Sequence, residues 1–296
     1  MKFKSKQQNI LLTQGQDIDE KSRKFIREAL GLTNKKVEAT RHTILSGPPG
    51  VGKTYGTTDE CRIGNVKSIL IPPGTTDIDL ITRIAVAVYK LKANEELVVI
   101  LDDADDVVFS DYKTLNKWKI AMQDNEPMLN HPVSVNNTIR TLEKQVEAGN
   151  TAKQIIIDAL MSFQAADSLG ISVPTDKVRF FILCNLDLED PKAFSRNAKL
   201  KSAVDPVLDR FAYKRIDLDW ERQWAWLAYV LSQTQPFSEQ GYDLTDDQKT
   251  ELLQWMYSNW NNLRSTSYRT VRKLAEAMIN DPEEYIDQWH NQLKGH

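Results

Sequence analysis

Four short apolar runs limit how this chain can fold. HTILS, KSILIPP, ELVVILDD and VRFFILCN each have the length of a strand rather than a helix, and the last two are nearly unbroken in Val, Ile, Leu and Phe. A strand apolar on both faces needs cover above and below, which a parallel sheet between helical layers supplies. The stretches between the runs agree: DLITRIAVAVYKL repeats its apolar residues at helical spacing. The expected fold class is therefore α/β, built on a parallel-sheet core. From Trp220 onward the strand signals stop. ERQWAWLAYVLSQ, DDQKTELLQWMYSNW and SYRTVRKLAEAMIN read as helices, with DPEEYIDQWHNQLK as a fourth. This places an α/β core over residues 1–218 and an α-helical domain over 219–296.

Two other segments add to the core. Over 18–32, Phe25, Ile26, Ala29 and Leu30 recur at helical spacing and Gly31 serves as a stop, which predicts an N-terminal packing helix. Region 136–168 is helix-prone, with a break at Gly149-Asn150, and lies between two core strands. It reads as a helical hairpin inserted into the core, or as an enlarged crossover.

Composition excludes several classes. With 41% hydrophobic residues the chain can bury a core, and no run of about 18 apolar residues suggests a membrane span. The opening MKFKSKQQNILLTQGQ lacks the apolar centre of a secretion signal, so no membrane and a cytoplasmic location are expected. Two cysteines, Cys61 and Cys184, are too few for a disulfide framework and show no zinc spacing. A net charge of −3 gives no global attraction to nucleic acid, so any such contact needs a local basic patch.

HTILS runs straight into Gly47-Pro48-Pro49-Gly50-Val51-Gly52-Lys53-Thr54, the pattern GxxxxGK[ST]. In that pattern glycines let backbone amides wrap a phosphate, the lysine reaches the β- and γ-phosphates, and the hydroxyl binds Mg²⁺. It needs a strand before it and a helix after it. HTILS supplies the strand and KTYGTTDECRIG the helix, weakened by Gly56; Tyr55 completes the expected ATP-binding set. The metal also needs a carboxylate at the end of a neighbouring strand. Leu97-Val98-Val99-Ile100-Leu101-Asp102-Asp103 provides it, with Asp102 on the metal side and Asp103 as the base that polarises a water. Asp105 and Asp106 read as structural or solvated.

Taken together, GPPGVGKT and LVVILDD resemble the motifs of the AAA+ ATPases, and the resemblance runs from about Arg41 to Ile279. The second motif of that family usually ends in Asp-Glu, and here Asp103 replaces the glutamate. Its side chain is one methylene shorter, and a misplacement of about 1 Å costs on the order of a hundredfold in rate, so slow turnover is one expectation. The resemblance implies ATP hydrolysis with Mg²⁺ in a ring or spiral of identical subunits, commonly six. It makes Phe180-Phe181-Ile182-Leu183-Cys184-Asn185 the strand beside the acidic one, with Asn185 as a polar sensor. It points to Arg210, in VDPVLDRF, as the arginine that acts in trans on a neighbour's nucleotide, with Arg196 and Arg215 as competitors. Arg269, in the first turn of SYRTVRKLA, becomes the lid arginine that reaches back over the nucleotide.

The object of the work is less sharply marked. IPPGTTDID has no aromatic residue where protein-threading members of the family carry one. Lys113, Lys117, Lys119, Lys153 and Lys177, with Trp118 among them, offer a basic surface for nucleic acid. The leading expectation is conformational work in DNA replication, recombination or repair, in a phage or plasmid setting. The alternatives are an ATPase that assembles or dismantles a protein partner, and a nucleotide-gated scaffold with weak hydrolysis. Six of the seven tryptophans fall after residue 218, at spacings that favour a helical core over base stacking.

Overall fold

The computed structural model describes residue 3 and residues 6–33, 42–123, 125–132, 135–164, 170–190, 198–209 and 211–294. It divides into two compact units. One comprises Met1–Ile26, Gly47–Gly56 and Ile216–His296; the other comprises Arg27–Ser46 and Thr57–Arg215.

The second unit carries the strands β1 (His42–Ser46), β2 (Ser68–Ile71), β3 (Leu97–Leu101), β4 (Met128–His131), β5 (Ile171–Pro174), β6 (Val178–Cys184) and β7 (Phe211–Arg215). Five of them form a parallel sheet in the order β2-β3-β6-β1-β7. Two of the three inner strands, β3 and β6, are the ones with nearly unbroken apolar runs, and β1 (HTILS) is the third. Every residue of β1 and β3 is buried, and so are all but Arg179 in β6. β2 and β7, at the edges, each have one buried residue and are otherwise half-buried or exposed. This is the burial pattern of a sheet covered on both faces. Leu80, Ile81 and Ile84 of the helix Asp77–Tyr89, and Leu115 and Trp118 of the helix Tyr112–Ala121, share one core with Ile44, Val99 and Ile182.

The strand order fixes where a ligand would sit. The chain leaves β1 and passes β6 and β3 to reach β2, whereas from β6 it passes β1 in the opposite direction to reach β7. Right-handed crossovers running in opposite directions put their helices on opposite faces. The carboxyl ends of β1 and β6 therefore flank a topological switch point, where α/β sheets bind ligands.

The long excursion between β3 and β6 holds more than the expected hairpin. Helices Asn136–Glu147 and Gln154–Ser162 turn at Gly149, whose φ is 97°, as its composition suggested. They are framed by β4 and β5, which pair antiparallel into a separate two-stranded ribbon. Residues 165–168 of the expected insertion lie outside the described residues.

In the first unit, the helices Trp220–Gln233, Asp246–Asn259, Tyr268–Asn280 and Tyr285–His290 surround Trp224 and Trp289, both wholly buried. Each indole finds an acceptor: Trp224 Nε1 donates to Leu253 O at 3.0 Å and Trp289 Nε1 to Leu274 O at 2.8 Å. Buried aromatics keep their large apolar contribution only when such polar edges are satisfied. Asp219 caps the first helix through the Arg222 amide, and Thr245 with Gln248 forms a capping box on the second.

The N-terminal helix is longer than the 18–32 pattern implied, spanning Lys6–Ala29. It ends as expected at Gly31. There the Leu32 amide bonds to Arg27 O and the Gly31 amide to Glu28 O, with Gly31 at φ 71°. Gly15 lies mid-helix, where a methyl group would collide with the Ala225 carbonyl, so its cost in helix propensity is exchanged for close packing. Among the described residues no helix is long and apolar enough to cross a membrane.

Candidate functional site

The glycine loop follows directly from β1 and opens the 11-residue helix Lys53–Ile63. Gly50 and Gly52 have φ of 80° and 78°, a conformation that costs other residues about 1–2 kcal/mol. Space forbids side chains there as well. A Cβ on Gly52 would lie 2.6 Å from Trp226 Cζ2, and one on Gly50 would overlap Ser267. Val51 is buried, Pro48 half-buried and Pro49 exposed. The loop is thus pressed into shape by the helical unit to which it belongs.

Lys53 is 6% exposed, and its ammonium donates to Gly47 O at 2.7 Å and Pro48 O at 3.0 Å. A buried cation needs such acceptors. The ammonium therefore lies in the curve of the loop, held by the two backbone carbonyls in charge-assisted hydrogen bonds. Thr54 stands in the first helical turn, where the amides and the helix dipole favour an anion. Tyr55 is 59% exposed, with the Arg23 guanidinium 5.9 Å from its ring centre.

Beside this loop and within the same unit lies a cleft of about 330 Å³, lined among others by Pro49, Gly50, Arg264, Ser267, Arg269 and Lys273. The structure thus brings Arg269 to the loop's outer turn. Arg264, in the bend before the helix Tyr268–Asn280, and Lys273, on that helix, share the cleft and were missed in the sequence, because local spacing does not show which basic residues a cavity adjoins.

The acidic turn belongs to the sheet unit. Asp102 follows β3, and Asp103 adopts φ 46°, a strained left-handed conformation that Asp tolerates better than most residues. Asn185, which follows β6, donates through Nδ2 to Asp103 Oδ1 and to Asp105 Oδ2, both at 3.1 Å. The Asp105 carboxylate also receives the backbone amides of Asn185 and Leu186 at 3.0–3.1 Å. Asp105 is therefore structural, the clamp that fixes Asn185. Two residues predicted from distant positions, Asp103 and Asn185, meet directly, and β6 lies beside β3 as the resemblance implied.

The remaining residues divide. Arg210 and Arg196 lie outside the described residues. Arg215 pairs with Asp187 at 3.3 Å. Of the basic surface, Lys117 pairs with Asp77 at 3.3 Å, and Trp118 is 2% exposed, packed edge-on against Phe180 with its indole bonded to Val107 O. Trp118 is a core residue and offers no face to a base. Among the described residues no three His, Cys, Asp or Glu side chains converge as a self-contained metal site. A magnesium ion would have to be completed by phosphate oxygens and water, the usual habit of that ion. Thr54 carries a hydroxyl and Asp102 a carboxylate, both oxygen donors of the hard type that ion takes, and the two stand in different units.

Over 247 residues, 81% of its length, the chain is 24% identical to a protein of Enterobacteria phage T4 described as the uncharacterized 36.7 kDa protein in the nrdC-mobD intergenic region. The match spans 64% of that protein's length. No protein-family profile matches the chain.

Proposed function

We propose that this protein is a P-loop ATPase, resembling the AAA+ class, that binds ATP with Mg²⁺ and hydrolyses it to drive conformational work. One observation carries the reading. Three adjacent strands, β1, β6 and β3, run parallel, and their carboxyl ends lead respectively into the glycine loop, Asn185 and the Asp102-Asp103 pair. A phosphate cradle, a polar sensor and a metal-side carboxylate are the parts that phosphoryl transfer needs.

In this reading the amides of Gly50 to Thr54 and the Lys53 ammonium hold the β- and γ-phosphates. Thr54 and Asp102 hold the magnesium ion, which when bound neutralises charge on the phosphoryl oxygens. Asp103 accepts a proton from the attacking water as that oxygen bonds to the γ-phosphorus and the bond to the bridging oxygen breaks. Asn185 orients Asp103 through the bond already formed, and Arg269 offers charge from the first turn of its helix. Arg210 acts on the site of a neighbouring copy in a homo-oligomer, with a hexamer as the common assembly. Mixing Arg210→Ala subunits with Asp103→Asn subunits then restores part of the activity; absence of rescue removes the trans role.

A second reading keeps nucleotide binding and gives up fast hydrolysis. It rests on Asp103, which is short, strained and already bonded to Asn185. ATP turnover measured with and without single-stranded DNA separates the possibilities. Stimulation supports work on nucleic acid in replication, recombination or repair. Turnover indifferent to DNA moves the work to a protein partner, and tight binding without turnover selects the scaffold. Absence of binding defeats all three.

A further inference from the structure

We propose that Asp19 is a positioning residue for the glycine loop, holding Trp226 and Arg23 of the same compact unit against the loop and the helical turn that follows it. The claim rests on the reading of that loop as a phosphate seat and adds to it a support from the N-terminal helix. Gly15, Asp19, Arg23 and Ile26 follow one another at intervals of four, four and three residues on the helix Lys6–Ala29, and so share one face. That face is packed at both ends. Gly15 lets the backbone approach Ala225, where an added Cβ would lie 2.1 Å from the carbonyl oxygen, and Ile26 closes on Gly56, its Cδ1 3.2 Å from where a Cβ there would stand.

Asp19 lies between those two points and accepts on both oxygens. Its Oδ1 accepts from Trp226 Nε1 at 3.2 Å and its Oδ2 from Arg23 Nε at 2.8 Å. An ion pair on an exposed helix face contributes little, but here the Asp19 side chain is 18% exposed and the Arg23 side chain 23%, and the same carboxylate also fixes an indole. Each partner continues to the phosphate loop. The six-membered ring of Trp226 fills the space beside Gly52 that a side chain there would need, and the residue is buried. The Arg23 guanidinium stands 5.9 Å from the centre of the Tyr55 ring, one residue past Thr54. Without the carboxylate the indole N–H loses its acceptor, and the ring is free to tilt away from Gly52. The loop then has to be ordered at the moment phosphate binds, a cost that a preorganised site avoids.

The test uses the full chain and compares Asp19→Ala with Asp19→Asn, which keeps an amide oxygen for the indole N–H. Affinity for Mg²⁺-ATP is measured by calorimetry. Hydrogen exchange is followed without nucleotide in the first turn of the helix Lys53–Ile63, where the Gly56 amide bonds to Gly52 O at 2.7 Å. Asp19→Ala is expected to weaken ATP binding about tenfold, the scale of one hydrogen bond to a charged group. It is also expected to speed exchange in that turn by at least about tenfold, while the helix Asp246–Asn259 keeps its protection. Asp19→Asn is expected to stay within about threefold of wild type in both measurements. Should Asp19→Ala not fold, Trp226→Phe, which removes the same donor, takes its place. The proposal is overturned if affinity or exchange is unchanged in the truncated variant, if exchange rises equally throughout the chain, or if Asp19→Asn loses as much as the truncation. Wild type that binds no ATP defeats the phosphate-seat reading alone, because exchange in the nucleotide-free chain still decides whether Asp19 holds the loop.

Discussion

The glycine loop and the acidic turn are both short connections that leave a buried parallel strand, yet different physics holds each one. In the loop, shape comes from what is missing: Gly50 and Gly52 have left-handed backbones and no room for a side chain against Ser267 and Trp226. In the turn, shape comes from charge, since Asp105 gathers two backbone amides and the Asn185 side chain, and Asn185 in turn steadies Asp103. The loop should therefore be sensitive to volume and the turn to the loss of hydrogen-bond acceptors. Each belongs to a different compact unit, so the two can be disturbed separately.

The largest expected effect separates shape from chemistry within the acidic turn. Asp103→Asn keeps an oxygen to accept the Asn185 bond but loses the basicity, so phosphate release should fall by about 10²–10⁴-fold while ATP affinity stays within about twofold. Unchanged turnover would place the base elsewhere. On the loop, Gly52→Ala combines a left-handed alanine with a methyl group driven into Trp226, and urea unfolding should show a loss of about 3 kcal/mol. A variant as stable as wild type would mean that the loop is not sterically defined. Asp105→Ala strips the acceptor from three N–H groups and should cost about 2 kcal/mol in the same assay. If Asp105→Ala were neutral, the charge-based half of the comparison would fail.

The smallest effect lies outside both connections and serves as their control. His131, on β4, is buried beside Lys117 and Asp77, and burial together with the Lys117 charge holds its pKa below the usual 6.5. The unfolded chain then binds more protons than the folded one just below that value. Stability should be complete above pH 6.5 and decline as the pH falls from 6.5 toward the lower folded pKa. His131→Gln should flatten that decline in unfolding midpoints compared at pH 7.5 and 5.5, with nucleotide affinity unmoved. A decline that persists in the variant assigns it to another group.

Much of the sheet was legible because burial on both faces leaves a strong mark. HTILS, LVVIL and VRFFILC occupy the three inner positions, and the composition of the last two pointed to cover on two sides. The loop was legible for a related reason, since its glycines answer a backbone demand written into the motif. The ribbon of β4 and β5 was not. MLNH and ISVP are four residues each with mixed polarity, and only their partnership across 40 positions makes them strands. The early start of the N-terminal helix was hidden as well, because Gly15 reads as a breaker until the Ala225 carbonyl beside it is known. The burial of Trp118 and the cleft around Arg264 and Lys273 are tertiary facts of the same kind, invisible to local spacing.

The central claim is that Lys53 holds a nucleotide's phosphates and does more than pin its own loop. Titration of wild type and Lys53→Ala with ATP and Mg²⁺, read by heat and by the shift in melting temperature, tests it directly. The account predicts saturable binding with a rise in melting temperature for wild type, and a loss of affinity on the order of a hundredfold in the variant, the scale of two charge-assisted hydrogen bonds. Wild type that binds no ATP, while Lys53→Ala merely loses the stability contributed by the Gly47 and Pro48 carbonyl bonds, would contradict it.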